Sequence, residues 1–220
     1  TRVCQYEALK NGKGVEIAKQ LVISRIESQN LMLRKHGLRQ HDLMVARQRI
    51  DRIESDSLSV VRQRLTNIEG KHTEQYFKQV FQLLPKALRI ENRRKFKAYD
   101  GANNLFNLAY EVLKWKVQRA LIKAKLECYL GFLHSEAWGK PSLVCDFQEL
   151  YRCLIDDFLI QRFQSLRKCD FKVKFETFAS NKKSLREYLD DSKTVDLMNS
   201  LFAYFEKMVD VPRVKCGSRQ

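Results

Sequence analysis

The stretch Gly131-Phe132-Leu133-His134 through Asp146-Phe147-Gln148-Glu149-Leu150-Tyr151-Arg152 gathers a histidine, a lysine (Lys140), two carboxylates and an arginine into about two dozen positions. Far upstream, Glu69 stands beside Gly70. One neutral imidazole and two carboxylates, His134 with Glu69 and Glu149, make a suitable shell for Mn2+ or Mg2+ in phosphoryl transfer, with open positions left for phosphate oxygens and water. Taken singly, each residue is ordinary. His134 ends an apolar run, where a histidine is commonly a hydrogen-bonded structural group. Asp146, Glu149 and Arg152 are spaced three apart on one helical face and, considered alone, read first as a solvated ion-pair ladder, because exposed helix faces are normally charged. The metal reading requires all three candidate ligands to meet in space.

The elements that must position them are helices. Residues 15–35 place Ile17, Ala18, Leu21, Val22, Ile26 and Leu33 on one face, and residues 40–54 continue the pattern with a basic opposite side. After the break at Ser55-Asp56-Ser57, which offers capping side chains, a further helix carries Val60, Val61, Leu65 and Ile68. Gly70 is expected to interrupt it, before a second apolar stripe from Tyr76 to Leu84 that Pro85 ends. Residues 86–101, with Lys86, Arg89, Arg93, Arg94, Lys95 and Lys97, read as a basic loop. Asn103 to about Leu126 forms the longest helical pattern, and a turn-rich connector over 130–141 leads to a helix over 143–167 with Ser142 as its cap. Residues 171–175 alternate as a short strand or extended linker, and a final helix is expected over 184–208. The fold class is all-α, with residues 1–14 as a linker end, 15–208 as one helical domain and 209–220 as a terminal segment.

Composition narrows the function. Lys plus Arg number 41 against 26 Asp plus Glu, so the formal charge is +15 and polyanions are favoured partners. No run approaches the roughly 20 apolar residues of a membrane span, and no signal segment opens the chain, so a cytoplasmic protein with no membrane partner is expected. The six cysteines (Cys4, Cys128, Cys145, Cys153, Cys169, Cys216) lack CxxC pairing and read as reduced core thiols. The opening Thr1 and the basic closing stretch read as the ends of a fragment.

Glu69-Gly70 followed by Tyr76-Phe77, the run Asn103-Asn104-Leu105-Phe106-Asn107-Leu108-Ala109-Tyr110, and the Gly131–His134, Ser142-Leu143 and Asp146–Arg152 motifs occur in one order. Together with Arg2, Gln5-Tyr6 and the Arg25-to-Gln29 segment, they resemble the catalytic helical half of the CRISPR-associated adaptation integrase, the universal endonuclease subunit that inserts spacers into CRISPR arrays. The resemblance implies Glu69, His134 and Glu149 as ligands of Mn2+ or Mg2+, Asp146 as the supporting acid, and Lys140 against the scissile phosphate. It implies Arg152 as a brace for the last ligand and Tyr110 as a packing residue. The implied reaction is metal-assisted transesterification, in which a DNA 3′-hydroxyl end attacks a phosphodiester of the CRISPR repeat. Implied partners are double-stranded DNA with 3′-hydroxyl ends, CRISPR repeat DNA, and a small ferredoxin-like companion subunit. The family's strand-rich N-terminal domain, which helps form the homodimer of the full-length protein, has no counterpart here, and the family's last helical and basic segment is also missing. Rival readings are a transposon-encoded integrase of the same catalytic family, a non-catalytic basic DNA-binding scaffold, and a basic structural protein with a partner helix.

Overall fold

The computed structural model describes residues 2–55, 57–95, 98–177 and 183–209. Seven helices are described: α1 (Arg2–Lys10), α2 (Lys13–Lys35), α3 (Leu43–Asp51), α4 (Leu58–Val80), α5 (Gly101–Lys123), α6 (Ser142–Phe163) and α7 (Asp191–Val209). Strands β1 (Phe171–Thr177) and β2 (Lys183–Leu189) pair antiparallel, with Phe171 opposite Leu189 and Lys174 opposite Arg186. The architecture is all-α with this one small hairpin, as the helical periodicity predicts.

α2 is the central post. Ala18, Leu21, Val22, Ile26 and Leu33 are fully or nearly fully buried on it, and it packs against α1, α3, α4 and α6. Phe77 and Phe81 stack at 5.1 Å, Phe81 meets Phe106 edge-on at 5.8 Å, and Phe106 stacks on Phe163 at 5.7 Å, which joins the end of α4 to α5 and α6. Asp42 and Asp100 cap α3 and α5, accepting the backbone N–H groups of Val45 and Asn103. Gly37, at φ +66°, closes α2 in the left-handed conformation that lets Leu38 N–H reach back to Leu33 O at 2.8 Å.

Several expectations need correction. α4 runs without a break through Gly70, whose missing side chain would meet nothing. A glycine costs a helix about 1 kcal/mol, and burying Val61, Leu65, Tyr76, Phe77 and Val80 on the same helix outweighs it. Residues 2–10 form a helix ahead of the expected start of the helical domain at residue 15. Residues 184–189 are strand, because Lys183–Leu189 find a partner in β1, and Glu187 binds the start of α5 through Gly101 N–H at 2.9 Å. Leu185 is consequently exposed, whereas Leu189, Leu197 and Leu201 are buried. Ser142 opens α6 but does not cap it; its hydroxyl donates to Ser135 O at 2.8 Å. Ser57 holds the N-cap position of α4 without a side-chain bond. Cys128 and Cys153 are buried, but Cys4 and Cys169 are exposed thiols. Asp56, Lys97, Cys216 and the segment 210–220 lie outside the described residues.

Candidate active site

The buried polar centre is built around a residue that spacing did not single out. Arg25 sits on the apolar face of α2, 2% exposed, and a guanidinium there must be paired. Its Nη1 donates to Glu149 O at 2.5 Å, its Nη2 stands 2.9 Å from Glu149 Oε2, and its Nε stands 3.4 Å from Glu69 Oε1. One cation from α2 thus draws an acid from α4 and an acid from α6 to a common point, though Glu69 and Glu149 lie 80 positions apart in the sequence. Burial alone would lower the Arg25 pKa; Glu149 and then Glu69 outweigh it and hold the group firmly protonated. Burial would likewise raise Glu149, but Arg25, Arg152 and His134 hold it below the ordinary carboxylate range.

Asp146 organises the histidine. It is 1% exposed, and its Oδ2 accepts the N–H groups of Phe132 (2.6 Å) and Leu133 (3.1 Å). Its Oδ1 accepts His134 N–H at 2.8 Å and faces His134 Nδ1 at 2.7 Å. A carboxylate that only accepts makes Nδ1 the protonated ring nitrogen and leaves Nε2 as the available lone pair. The turn around Asp146 is tight enough that a Cβ on Gly131 would lie 2.7 Å from His134 O and 2.9 Å from Asp146 Oδ2. Arg62 of α4 fastens the same turn from outside, donating to Phe132 O at 2.9 Å and Gly131 O at 2.5 Å.

Asp146 and Glu149 are therefore not an exposed ladder. Both are buried, one holding a loop and the other an arginine pair. Arg152 pairs with Glu149 Oε1 and lies 4.8 Å from the Tyr110 ring centroid. The Tyr110 hydroxyl, with that of Tyr76, donates to buried Asp156, so Tyr110 links α5 to α6 by packing and hydrogen bonding. Glu69 Oε1 also accepts from Thr73, which in turn accepts from Gln29 at 3.0 Å.

A cavity of about 1010 Å³ adjoins this centre, lined among others by Thr73, Lys95, Lys140, Gln148 and Arg152. Lys140 is thus placed on its wall, six residues after His134 in the connector. Some cations of the 86–97 loop serve the fold instead. Arg93 binds Asn103 and Asn107 over the Phe106 and Tyr110 rings, and Arg89 donates to Leu84 O and Gln82 O. Arg25 and Arg62 escaped the reading by spacing. For Arg25, the available signal was a lone cation among Leu21, Val22 and Ile26.

The donors suit a hard divalent ion in kind: two carboxylates, and an imidazole whose far nitrogen is set by an acid. Among the described residues, however, no three His, Cys, Asp or Glu side chains form a ready coordination cluster, and Arg25 holds the position between the two acids.

Fold and site together define a class: an all-helical domain whose buried acids and acid-set histidine flank a basic cavity. The chain belongs to the family of CRISPR associated protein Cas1, whose model matches residues 1–193. It is 29% identical over 189 residues to a CRISPR-associated endonuclease Cas1 of Archaeoglobus fulgidus, covering 76% of this chain and 55% of that one. It is 30% identical over 184 residues to another of Saccharolobus solfataricus, covering 81% and 52%. The chain spans about half the length of these curated relatives. Among solved structures, a Cas1 protein from Thermotoga maritima superposes with TM-score 0.77 at 21% identity, covering 94% of this chain and 63% of that one. A casposase bound to integration product gives 0.75 at 20%, covering 92% and 56%. These two likenesses show the fold.

Proposed function

We propose that this chain is the catalytic helical domain of a divalent-metal-dependent DNA endonuclease and integrase of CRISPR adaptation, joining captured 3′-hydroxyl DNA ends to the CRISPR repeat. The observation that carries the reading is the meeting of Glu69 and Glu149 on buried Arg25, with Asp146 setting His134 nearby. Glu69, Glu149 and His134 Nε2 would hold Mn2+ or Mg2+, which supplies charge neutralisation on the phosphate oxygens and ionisation of the attacking hydroxyl. Arg25 keeps the Glu149 carboxylate ionised for that task and stands 3.4 Å from Glu69 Oε1. Arg152 braces Glu149 and is itself held over Tyr110. Asp146 fixes the imidazole in the tautomer that presents Nε2, and Lys140 meets the scissile phosphate from the cavity wall. No side chain needs to act as a nucleophile. Solved neighbours described as a Cas6-RT-Cas1–Cas2 complex and as a casposase bound to integration product support DNA and a Cas companion as partners; a small ferredoxin-like form of that companion, a homodimer in the full-length protein and a cytoplasmic site of action belong to the proposal alone.

Strand transfer of a 3′-hydroxyl duplex into repeat DNA, measured in Mn2+ for wild type and Glu149→Ala, tests the proposal. Activity should fall at least about 100-fold in the variant, the scale of losing a transition-state electrostatic contact; equal activity removes the catalytic assignment. The position of Arg25 between the two acids favours one second reading, a basic scaffold that binds DNA without cutting it. That reading predicts DNA binding with no Mn2+-dependent product in either protein.

A further inference from the structure

A second concave surface lies on a different face of α4 from Glu69. It is a groove of about 880 Å³ between α4 and the segment that carries α3, and its lining includes Arg39, His41, Arg49, Arg64, Lys71 and Lys78. On α4 the cations fall at 64, 71 and 78, spaced seven apart along one stripe. At 1.5 Å per residue the stripe is roughly 21 Å long, the axial length of about six base steps at 3.4 Å. Arg39 and Arg49 face it from the other wall. Among the described residues, the side chains of Arg39, Arg49, Arg64 and Lys71 make no ion pair or hydrogen bond; only Lys78 is paired, with Glu74 on α4. The one carboxylate of the lining, Asp42, is occupied in capping α3.

The opposing wall is built to hold its shape. The Gln79 side chain exchanges two hydrogen bonds with the Arg39 backbone (3.0 and 2.9 Å), and Asn30 does the same with His41 (2.8 and 3.0 Å). Two amides from α4 and α2 thus clamp the 39–41 strap as a neighbouring strand would. At the floor, His41 meets His72 edge-on at 5.0 Å. His72 Nδ1 is spent on Ile68 O, whereas His41 Nε2 is buried without a partner. Cations left unneutralised on two pinned walls, around an unsatisfied imidazole nitrogen, make a slot for a polyanion.

We infer that the α3–α4 groove is a DNA-backbone binding site, its four unpaired cations contacting about four phosphates along a duplex tract of about six base steps. The inference rests on the DNA reading above and extends it to a surface that takes no part in the chemistry. Its contacts are to phosphate alone, so it should be indifferent to base sequence.

Fluorescence anisotropy of a mixed-sequence duplex of about 30 base pairs, titrated at several salt concentrations, tests it. The proteins compared are wild type, Arg49→Ala, Arg64→Ala, Lys71→Ala, the triple variant, and Arg119→Ala as an exposed cation outside the groove. Each groove substitution should reduce the slope of log affinity against log salt by about one. The triple variant should bind on the order of 100-fold more weakly at about 0.1 M salt, while Arg119→Ala stays at wild type. All substituted side chains are exposed, and an unchanged thermal midpoint verifies the fold. Groove variants that keep the wild-type slope, or an equal loss in Arg119→Ala, overturn the groove and leave the catalytic reading standing. If wild type itself shows no salt-sensitive binding, the groove and the DNA reading fall together.

Discussion

At the scale of single residues, the site depends on Arg25, whose mark in the sequence is a lone cation among Leu21, Val22 and Ile26. Arg25 offsets two negative charges whose desolvation would otherwise disfavour the fold. Arg25→Met keeps the volume and removes the charge, leaving Glu69 and Glu149 without their shared partner. The expected loss is about 3–5 kcal/mol, the cost of breaking a buried ion pair from one side, read from the urea midpoint. If the loss were under about 1 kcal/mol, the two carboxylates would not depend on Arg25. Thr73 and Arg152 cannot substitute for it, because one carries no charge and the other already stands on the opposite side of Glu149.

At the scale of elements, the 131–134 turn within the connector between α5 and α6 is held from inside by a carboxylate on the second turn of α6. Asp146 takes three successive backbone N–H groups and the imidazole, so the turn has one workable path. Gly131 belongs to that path because there is no room for a side chain, the obstacles being the His134 carbonyl, the Ser142 Cβ and the Asp146 oxygen. Gly131→Ala is therefore expected to cost about 1–3 kcal/mol from overpacking and to displace His134. Thermal unfolding measures the first effect and the His134 ring resonances measure the second. An unchanged ring environment would show that Asp146 alone positions the histidine. A comparable economy operates where Asp156 of α6 accepts the hydroxyls of Tyr76 from α4 and Tyr110 from α5, tying three helices through one acid.

At the scale of the whole molecule, pH reports how burial was arranged. Burial and the nearby His72 lower His41 to about 4. Glu149 and Asp157 lie below their ordinary range, each because cationic partners outweigh burial: Arg25 and Arg152 for the first, Lys35 and His36 for the second. All three groups bind protons more readily in the unfolded chain. The His41 contribution is complete above about pH 6.5 and is lost as pH falls towards 4. The carboxylate contributions are present above the unfolded carboxylate values and are lost below them. Between pH 7.5 and 5.5 only His41 titrates among these, and stability should drop by on the order of 1 kcal/mol after allowing for partial solvent screening. Urea midpoints at the two pH values should differ in wild type and differ less in His41→Gln. An identical shift in both would place the titration elsewhere.

The helices, the basic balance and the acid and histidine motifs were legible in the chain, because apolar spacing of three and four and the order of a few side chains survive without coordinates. The all-α class could be read that way, and Glu69, His134, Glu149, Asp146 and Lys140 could be named as candidates, their roles supplied by the resemblance. Tertiary structure decided what spacing cannot carry. Strand pairing of 183–189 with β1 overrode a helical pattern, core packing carried α4 through Gly70, and Cys4 and Cys169 came to the surface. Above all, a charge on one helix selected the acids on two others. Local periodicity says which face a residue occupies, but only the packing of distant helices says whose face it meets, and that meeting is what makes Arg25, Asp146 and the α3–α4 groove matter.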